Sequence, residues 1–202
     1  MMNIKNTWLY INIRKMYYFL KNWDETKDNL RIAYKIKKYK NLHNGQTCVV
    51  IGNGPSLKVE DLTKLHQLRI PTFACNRIHL IFEQTDWRPT YYFMSDAKLI
   101  AQYDDNVPDI LPEKRFFPKR YRNQIKNGIF YNELPFDYEK EGKFSQDFSK
   151  GLYPAGSVTT EMLQAAYYFG FSEIYLIGVD FSYAINSALN SLFNLEQIAT
   201  LS

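Results

Sequence analysis

The residues with most chemistry to offer stand in five short clusters. Gly52-Asn53-Gly54-Pro55-Ser56 joins two glycines to an amide and a hydroxyl. The glycines leave room for a ligand to approach backbone amides, and the side chains can hydrogen-bond phosphate or ribose oxygens. Asn76, then Ser95 with Asp96, then Asp180 each follow a short apolar run. Gly156-Ser157-Val158-Thr159-Thr160 is a second stretch rich in glycine and hydroxyl groups. These types suit the binding of an anion such as a nucleotide phosphate. Asp96 is the best available acid or base, provided it reaches a reacting hydroxyl. Each cluster also has a plainer use, with glycine serving a tight turn and the hydroxyls capping helices.

Strands and loops must bring these clusters together. Thr47-Cys48-Val49-Val50-Ile51-Gly52 is a compact, β-branched run, as expected of a strand buried on both faces. Further strands are expected over 71–75, 90–94, 115–117 and 129–131, and a final buried one over Glu173 to Asp180. A helix is expected from Ser157, with Met162, Leu163, Ala165, Ala166 and Phe169 at helical spacing and Gly170 just past its end. Strand, loop and helix in alternation predict an α/β, Rossmann-like, doubly wound and mostly parallel sheet. In such sheets ligands bind beyond the carboxyl ends of the strands. Asn53, Asn76, Ser95, Asp96 and Asp180 all fall at those ends. The amides after Gly54 are expected to point out of the next helix's N-terminus, where the helix dipole favours anions.

The first 45 residues differ in character. They carry ten Lys and Arg against three acids, a balance of +7; the whole chain stands at +4, so the remainder is −3. The spacing predicts an N-terminal helical pair ahead of a domain over 46–202. The first helix would carry Trp8, Leu9, Ile13, Met16, Tyr17, Phe19 and Leu20 on a broad apolar face, and the second Ile32, Ala33, Ile36 and Tyr39. That face is wide enough to need burial, so docking on the domain is expected. Peripheral contact with an anionic membrane through residues 1–45 is the alternative. No run of 18 apolar residues and no secretory signal occurs, so the expected location is cytoplasmic, at most peripheral at the inner membrane face. No nucleic-acid partner is expected. Cys48 and Cys75 lack metal or disulfide spacing and read as core residues. Of the histidines, His43 is expected in a solvated linker, His66 at a helix end, and His79 near the cleft.

The succession Val49-Val50-Ile51-Gly52-Asn53-Gly54-Pro55-Ser56-Leu57, Ala74-Cys75-Asn76, Arg88-Pro89-Thr90-Tyr91-Tyr92-Phe93-Met94-Ser95-Asp96 and Ser172-Glu173-Ile174-Tyr175-Leu176-Ile177-Gly178-Val179-Asp180-Phe181 resembles a bacterial and archaeal family. That family is named for archaeal 6-hydroxymethylpterin diphosphokinase, and many bacterial members lie among surface-polysaccharide genes. The pattern is also similar to small bacterial sialyltransferases that use a CMP-sugar donor. The resemblance implies that Asn53 and Ser56 contact the donor phosphate or ribose, and that Asn76 contacts the nucleotide. It implies further that Ser95 or Asp96 lies beside the reacting group, that Ser157 and Thr159 bind donor oxygens, and that Asp180 closes the floor.

Two departures bear on the reaction. The pterin kinases place closely spaced aspartates after a strand, which can hold Mg²⁺; here the matching place reads Ser95-Asp96-Ala97-Lys98. The sialyltransferases use a histidine beyond the Gly-Val-Asp-Phe strand end, whereas His43, His66 and His79 all precede it. Asn186 to Ser202 is expected to form one helix, and the C-terminus to be truncated or diverged. Three functions follow as expectations. The first is transfer of a sugar from a nucleotide-sugar, of the CMP-sugar class, to a glycan acceptor hydroxyl in surface polysaccharide biosynthesis. The others are Mg²⁺-assisted pyrophosphoryl transfer, with Mg²⁺ on Asp96 and Asp180, and a non-catalytic nucleotide-binding module.

Overall fold

A computed structural model describes residues 8–103, 110–136, 143–154 and 156–180, with side chains from Asn12 onward. Six strands form one parallel sheet: β1 (Thr47–Ile51), β2 (Thr72–Cys75), β3 (Tyr91–Phe93), β4 (Arg115–Pro118), β5 (Ile129–Tyr131) and β6 (Glu173–Ile177). Their order is β5-β4-β3-β2-β1-β6, with every pairing parallel. The chain steps outward from β1 to β5 and then crosses back to pair β6 with β1. Every strand therefore delivers its carboxyl end to one edge of the sheet.

Period-two alternation divides the core into two layers. Cys48 and Val50 of β1, Phe73 and Cys75 of β2, and Tyr91 and Phe93 of β3 face one side. There they meet α4 (Val158–Phe169) through Met162, Ala165, Ala166 and Phe169. Val49, Ile51, Ala74 and Tyr92 face the other side, against Leu62 of α2 (Val59–Gln67) and against Ile78, Phe82 and Trp87. With both faces covered, the inner strands read as continuous apolar runs rather than alternating ones. Cys48 and Cys75 are free, buried thiols, and burial pushes both up to about 12, so they are core residues. α4 ends as expected, with Gly170 left-handed at φ 92°.

The structure corrects the expected N-terminal helical pair. One helix, α1 (Trp8–Lys37), runs through 30 residues. No glycine or proline interrupts it, and the polar Lys21 to Asp28 stretch between the two expected apolar faces is helix-compatible. Docking of the first apolar face is corrected as well. Only the last turns are buried: Ile32 and Ile36 enter the core, while Ile13, Met16, Phe19, Leu20 and Trp23 are exposed. Asp28 fastens this docked end by ion pairs to Lys119 at 3.2 Å and to Arg122, and Lys119 also donates to Asn29 at 2.7 Å. Among the described residues no helix is long and apolar enough to cross a membrane.

Two smaller corrections concern β6 and His43. β6 is not buried; it is an edge strand, with Tyr175 57% exposed, because β1 pairs it on one side only among the described residues. His43 is not a solvated linker residue. Its ring stacks on Phe171 at 4.4 Å and its Nε2 bonds the Tyr91 hydroxyl at 2.6 Å. The expected helix over Asn186 to Ser202 lies outside the described residues.

Candidate functional site

The shared carboxyl edge divides into two halves. At the first, the loop after β1 packs directly on the loop after β6. Gly52 N–H donates to the Ile177 carbonyl at 2.9 Å, and Gly54 N–H to the Gly178 carbonyl at 2.8 Å. A Cβ on Gly52 would overlap the Gly178 carbonyl oxygen, and one on Gly54 would stand 2.5 Å from a carboxylate oxygen of Asp180. Neither glycine has a positive φ. Their role in this structure is room, and the room is taken by the chain itself.

Ser56 is likewise occupied. Its amide donates to Asp180 Oδ2 at 2.8 Å and its hydroxyl to Oδ1. The hydroxyl, then the amide, hold the Asp180 carboxyl below the usual carboxylate range. α2 begins only at Val59, after Lys58 at its N-cap, so the expectation that the amides following Gly54 open a helix is corrected. The carboxylate of Asp180 fills the place an anion would take against Ser56.

The second half begins at the end of β2. Asn53 reaches across from β1, donating from Nδ2 to the Cys75 carbonyl at 3.1 Å. Asn76 follows Cys75 in the left-handed region at φ 53°, and its carbonyl accepts from the Tyr92 hydroxyl at 2.6 Å. Its side-chain Oδ1 is buried with no hydrogen-bond partner among the described residues, and so is Nδ1 of His79 in the same 3₁₀ segment, Asn76–Gln84. Two orphaned polar atoms one turn apart are costly unless a ligand or water meets them.

Beyond β3, Asp96 serves as a helix cap. Its Oδ1 accepts from Lys98 N–H at 2.8 Å and Leu99 N–H at 3.0 Å, opening α3 (Ala97–Ile100). It remains exposed on the rim, oriented by those two amides. Ser157 also caps, accepting from the Thr159 amide at 3.2 Å, and Gly156 before it is left-handed at φ 72°. The N-terminus of α4 therefore stands at the same edge as the strand ends, since α4 runs back against the direction of β6.

Sequence reasoning missed the charged cluster beneath this edge. Glu161, in the first turn of α4, is 1% exposed; burial raises its carboxyl to about 7 even though Tyr131 and Ser95 hydrogen-bond it. The Tyr131 hydroxyl donates to Glu161 Oε2 at 2.7 Å. Arg120, after β4, pairs with Glu133 and donates to the Ser95 carbonyl at 3.2 Å. The available signal was an acid, Glu161, within the apolar stripe of Met162, Ala165 and Ala166. Such an acid is buried with a partner or not buried at all.

A family model for 6-hydroxymethylpterin diphosphokinase MptE-like proteins matches residues 18–186. The chain belongs to this MptE-like family. The matched span starts inside α1 and takes in every strand. No curated protein matches the sequence. Among solved structures, the MAf glycosyltransferase from Magnetospirillum magneticum AMB-1 is similar at 18% identity and a TM-score of 0.46, over 79% of this chain and 28% of that one. This MptE-like chain thus spans little more than a quarter of that protein's length.

The geometry also bears on Mg²⁺ between Asp96 and Asp180. Asp96 lies in the loop after β3 and Asp180 in the loop after β6, strands that stand three inter-strand steps apart in the sheet. Among the described residues no three His, Cys, Asp or Glu side chains converge as a metal site. A cavity of about 450 Å³, lined by Lys40, Asn44, Tyr167 and Phe171 among others, opens near the amino ends of β1 and β6, away from these groups. The strand-end cluster is the better candidate, because it holds the unpartnered polar atoms.

Proposed function

We propose that this chain binds a nucleotide-sugar, of the CMP-sugar class, beyond the carboxyl ends of β1 to β3 and transfers the sugar to a glycan hydroxyl. The observation that carries the reading is Asn76: left-handed, at a strand end, with a buried acceptor that no described residue satisfies. That acceptor suits an exocyclic amine or a ribose hydroxyl, and Asn53 beside it holds the two strand ends in register. Ser157, Thr159 and Gly156 at the α4 N-terminus, with Arg120 across the rim, suit the phosphate. In the transfer the bond between anomeric carbon and phosphate oxygen breaks, the acceptor oxygen bonds that carbon, and its proton passes to a base. Negative charge grows on the departing nucleotide, where helix amides and a guanidinium stabilise it. Asp96, exposed and oriented by two amides, is the base. Ser95 is positioned by Glu161 beneath it.

Family membership keeps pyrophosphoryl transfer as the second reading, with Mg²⁺ held by Asp96 and Asp180 and by phosphate oxygens. Thermal-shift measurements against CMP, UDP, GDP, ATP and their sugar conjugates, with and without Mg²⁺, separate the two. A nucleotide at 100 times its dissociation constant stabilises by about 2.7 kcal/mol, which for a domain of this size raises Tm by roughly 5–10 °C. A metal-independent shift with CMP or a CMP-sugar supports sugar transfer. A shift only with ATP and Mg²⁺ supports the kinase, binding without turnover over all donors leaves a binding module, and no shift at all rejects the site.

A further inference from the structure

The exposed half of α1 carries a second pattern. Ile13, Met16, Leu20, Trp23, Lys27, Leu30 and Tyr34 follow one another at alternating steps of three and four residues. That is the heptad seam of a coiled coil, sustained over three heptads. At 100° per residue the seam lies about 160° round the helix from the docked side chains of Asp28, Asn29, Ile32 and Ile36. The two faces are therefore independent, and among the described residues the domain does not cover the seam. Its apolar members are each more than half exposed, from 53% at Leu20 and Trp23 to 69% at Tyr34.

We infer that α1 pairs through this seam with α1 of a second copy of the chain. Three observations favour a copy over a lipid surface. The first is the strict 3-4 spacing, which an interfacial helix does not need, since a bilayer accepts any apolar face. The second is charge. Between residues 12 and 30 four bases (Arg14, Lys15, Lys21, Lys27) face three acids (Asp24, Glu25, Asp28), so this half is nearly neutral. The bases that made the N-terminal 45 residues look membrane-seeking cluster instead at Arg31 to Lys40, where α1 meets the domain. The third is area. Tyr17 and Phe19 flank the seam and are also exposed, by 60% and 65%. With the six apolar seam residues they make eight side chains offering roughly 100 Å² each, or about 800 Å² per partner, the size of a standard stable interface.

Lys27 is the one polar layer. Its Nζ lies 5.3 Å from the Trp23 ring, and Trp23 stacks on Phe19 at 6.3 Å, so its stem covers the seam while its charge can leave it. A single lysine at such a position sets register and strand number at some cost in affinity.

Sedimentation equilibrium of the full chain over a concentration series tests the pairing. The parent should show the mass of two chains at high concentration. Leu20→Glu with Leu30→Glu, both on already exposed positions, should give one chain with the domain's melting transition retained. Tyr18→Glu, off the seam, should leave the two-chain mass. Lys27→Leu should lower the dissociation constant by about tenfold or more, the worth of one further buried leucine, which checks the seam without depending on a disruptive change. A parent that sediments as one chain throughout, or a double glutamate variant that keeps the two-chain mass, overturns the inference. So does a one-chain parent that pellets with phosphatidylserine vesicles, an outcome that assigns the face to lipid.

Discussion

The two halves of the sheet's carboxyl edge differ in how far the protein has already satisfied them. At the β1–β6 end every promising group is spent: the Gly52 and Gly54 amides on backbone carbonyls, Ser56 on Asp180, and the glycine space on Gly178. At the β2–β5 end Asn76 and His79 bury polar atoms with no partner among the described residues, and Glu161 is buried at the cost of a raised pKa. A glycine-rich loop can thus be a packing device where it reads as a phosphate loop. Unsatisfied polar atoms are the better marker of where a ligand goes. For a phosphate to bind at Ser56, it must first displace a carboxylate that already imitates it.

The sharpest break in this contrast comes from Gly52→Val. Its side chain must push the Gly178 backbone, so the β1–β6 contact opens and stability falls by more than about 4 kcal/mol, enough to unfold much of a marginal domain. Urea denaturation measures this, and a variant as stable as the parent would mean the loops are not packed as described.

Glu161→Gln comes next. The parent carboxyl titrates near 7 when folded, above its value in the unfolded chain. Its contribution is therefore complete below about pH 4.5 and lost as pH rises through 7, a loss of roughly 3 kcal/mol at most. The glutamine variant should lack that part of the slope, and parallel stability profiles against pH would contradict the burial argument.

Asn76→Gly keeps the left-handed backbone and removes the orphaned oxygen. Stability should change by less than about 1 kcal/mol, while the nucleotide-induced rise in Tm disappears. Retention of the full thermal shift moves the ligand elsewhere.

The smallest effect belongs to Ser56→Ala. Tm should hardly move, but the Asp180 carboxyl should titrate closer to the ordinary range, because its strongest hydrogen bond is gone. An unchanged carboxyl titration by NMR would show that Ser56 and Asp180 do not interact in solution.

Much of the sheet was legible because buried parallel strands have few ways to be written. Val49-Val50-Ile51 and Phe116-Phe117 admit little else, and Gly170 marked the end of α4 with the φ only glycine takes easily. The ends of strands were legible too, so Asn76 was placed just after β2 and Ser157 at the start of α4. Side-chain partners were not. Nothing local in Gly52 to Ser56 says that Asp180, 124 residues on from Ser56, completes it. The exposure of α1 was illegible for a related reason: an apolar stripe announces a need for burial without naming its cover.

The topology also sets a schedule for synthesis. β1 pairs with β2 across a short stretch, Val49 with Thr72, but its other edge waits for β6, whose Glu173 lies 126 residues beyond Thr47. At 5–20 residues per second a ribosome takes roughly 6–25 s to cover that interval. Through it, β1 presents an open row of amides and carbonyls flanked by Val49, Val50 and Ile51, the kind of edge that recruits strands from neighbouring chains. Slow codons or a holding chaperone over this window should therefore change the yield of folded chain without any change in the finished domain's sequence.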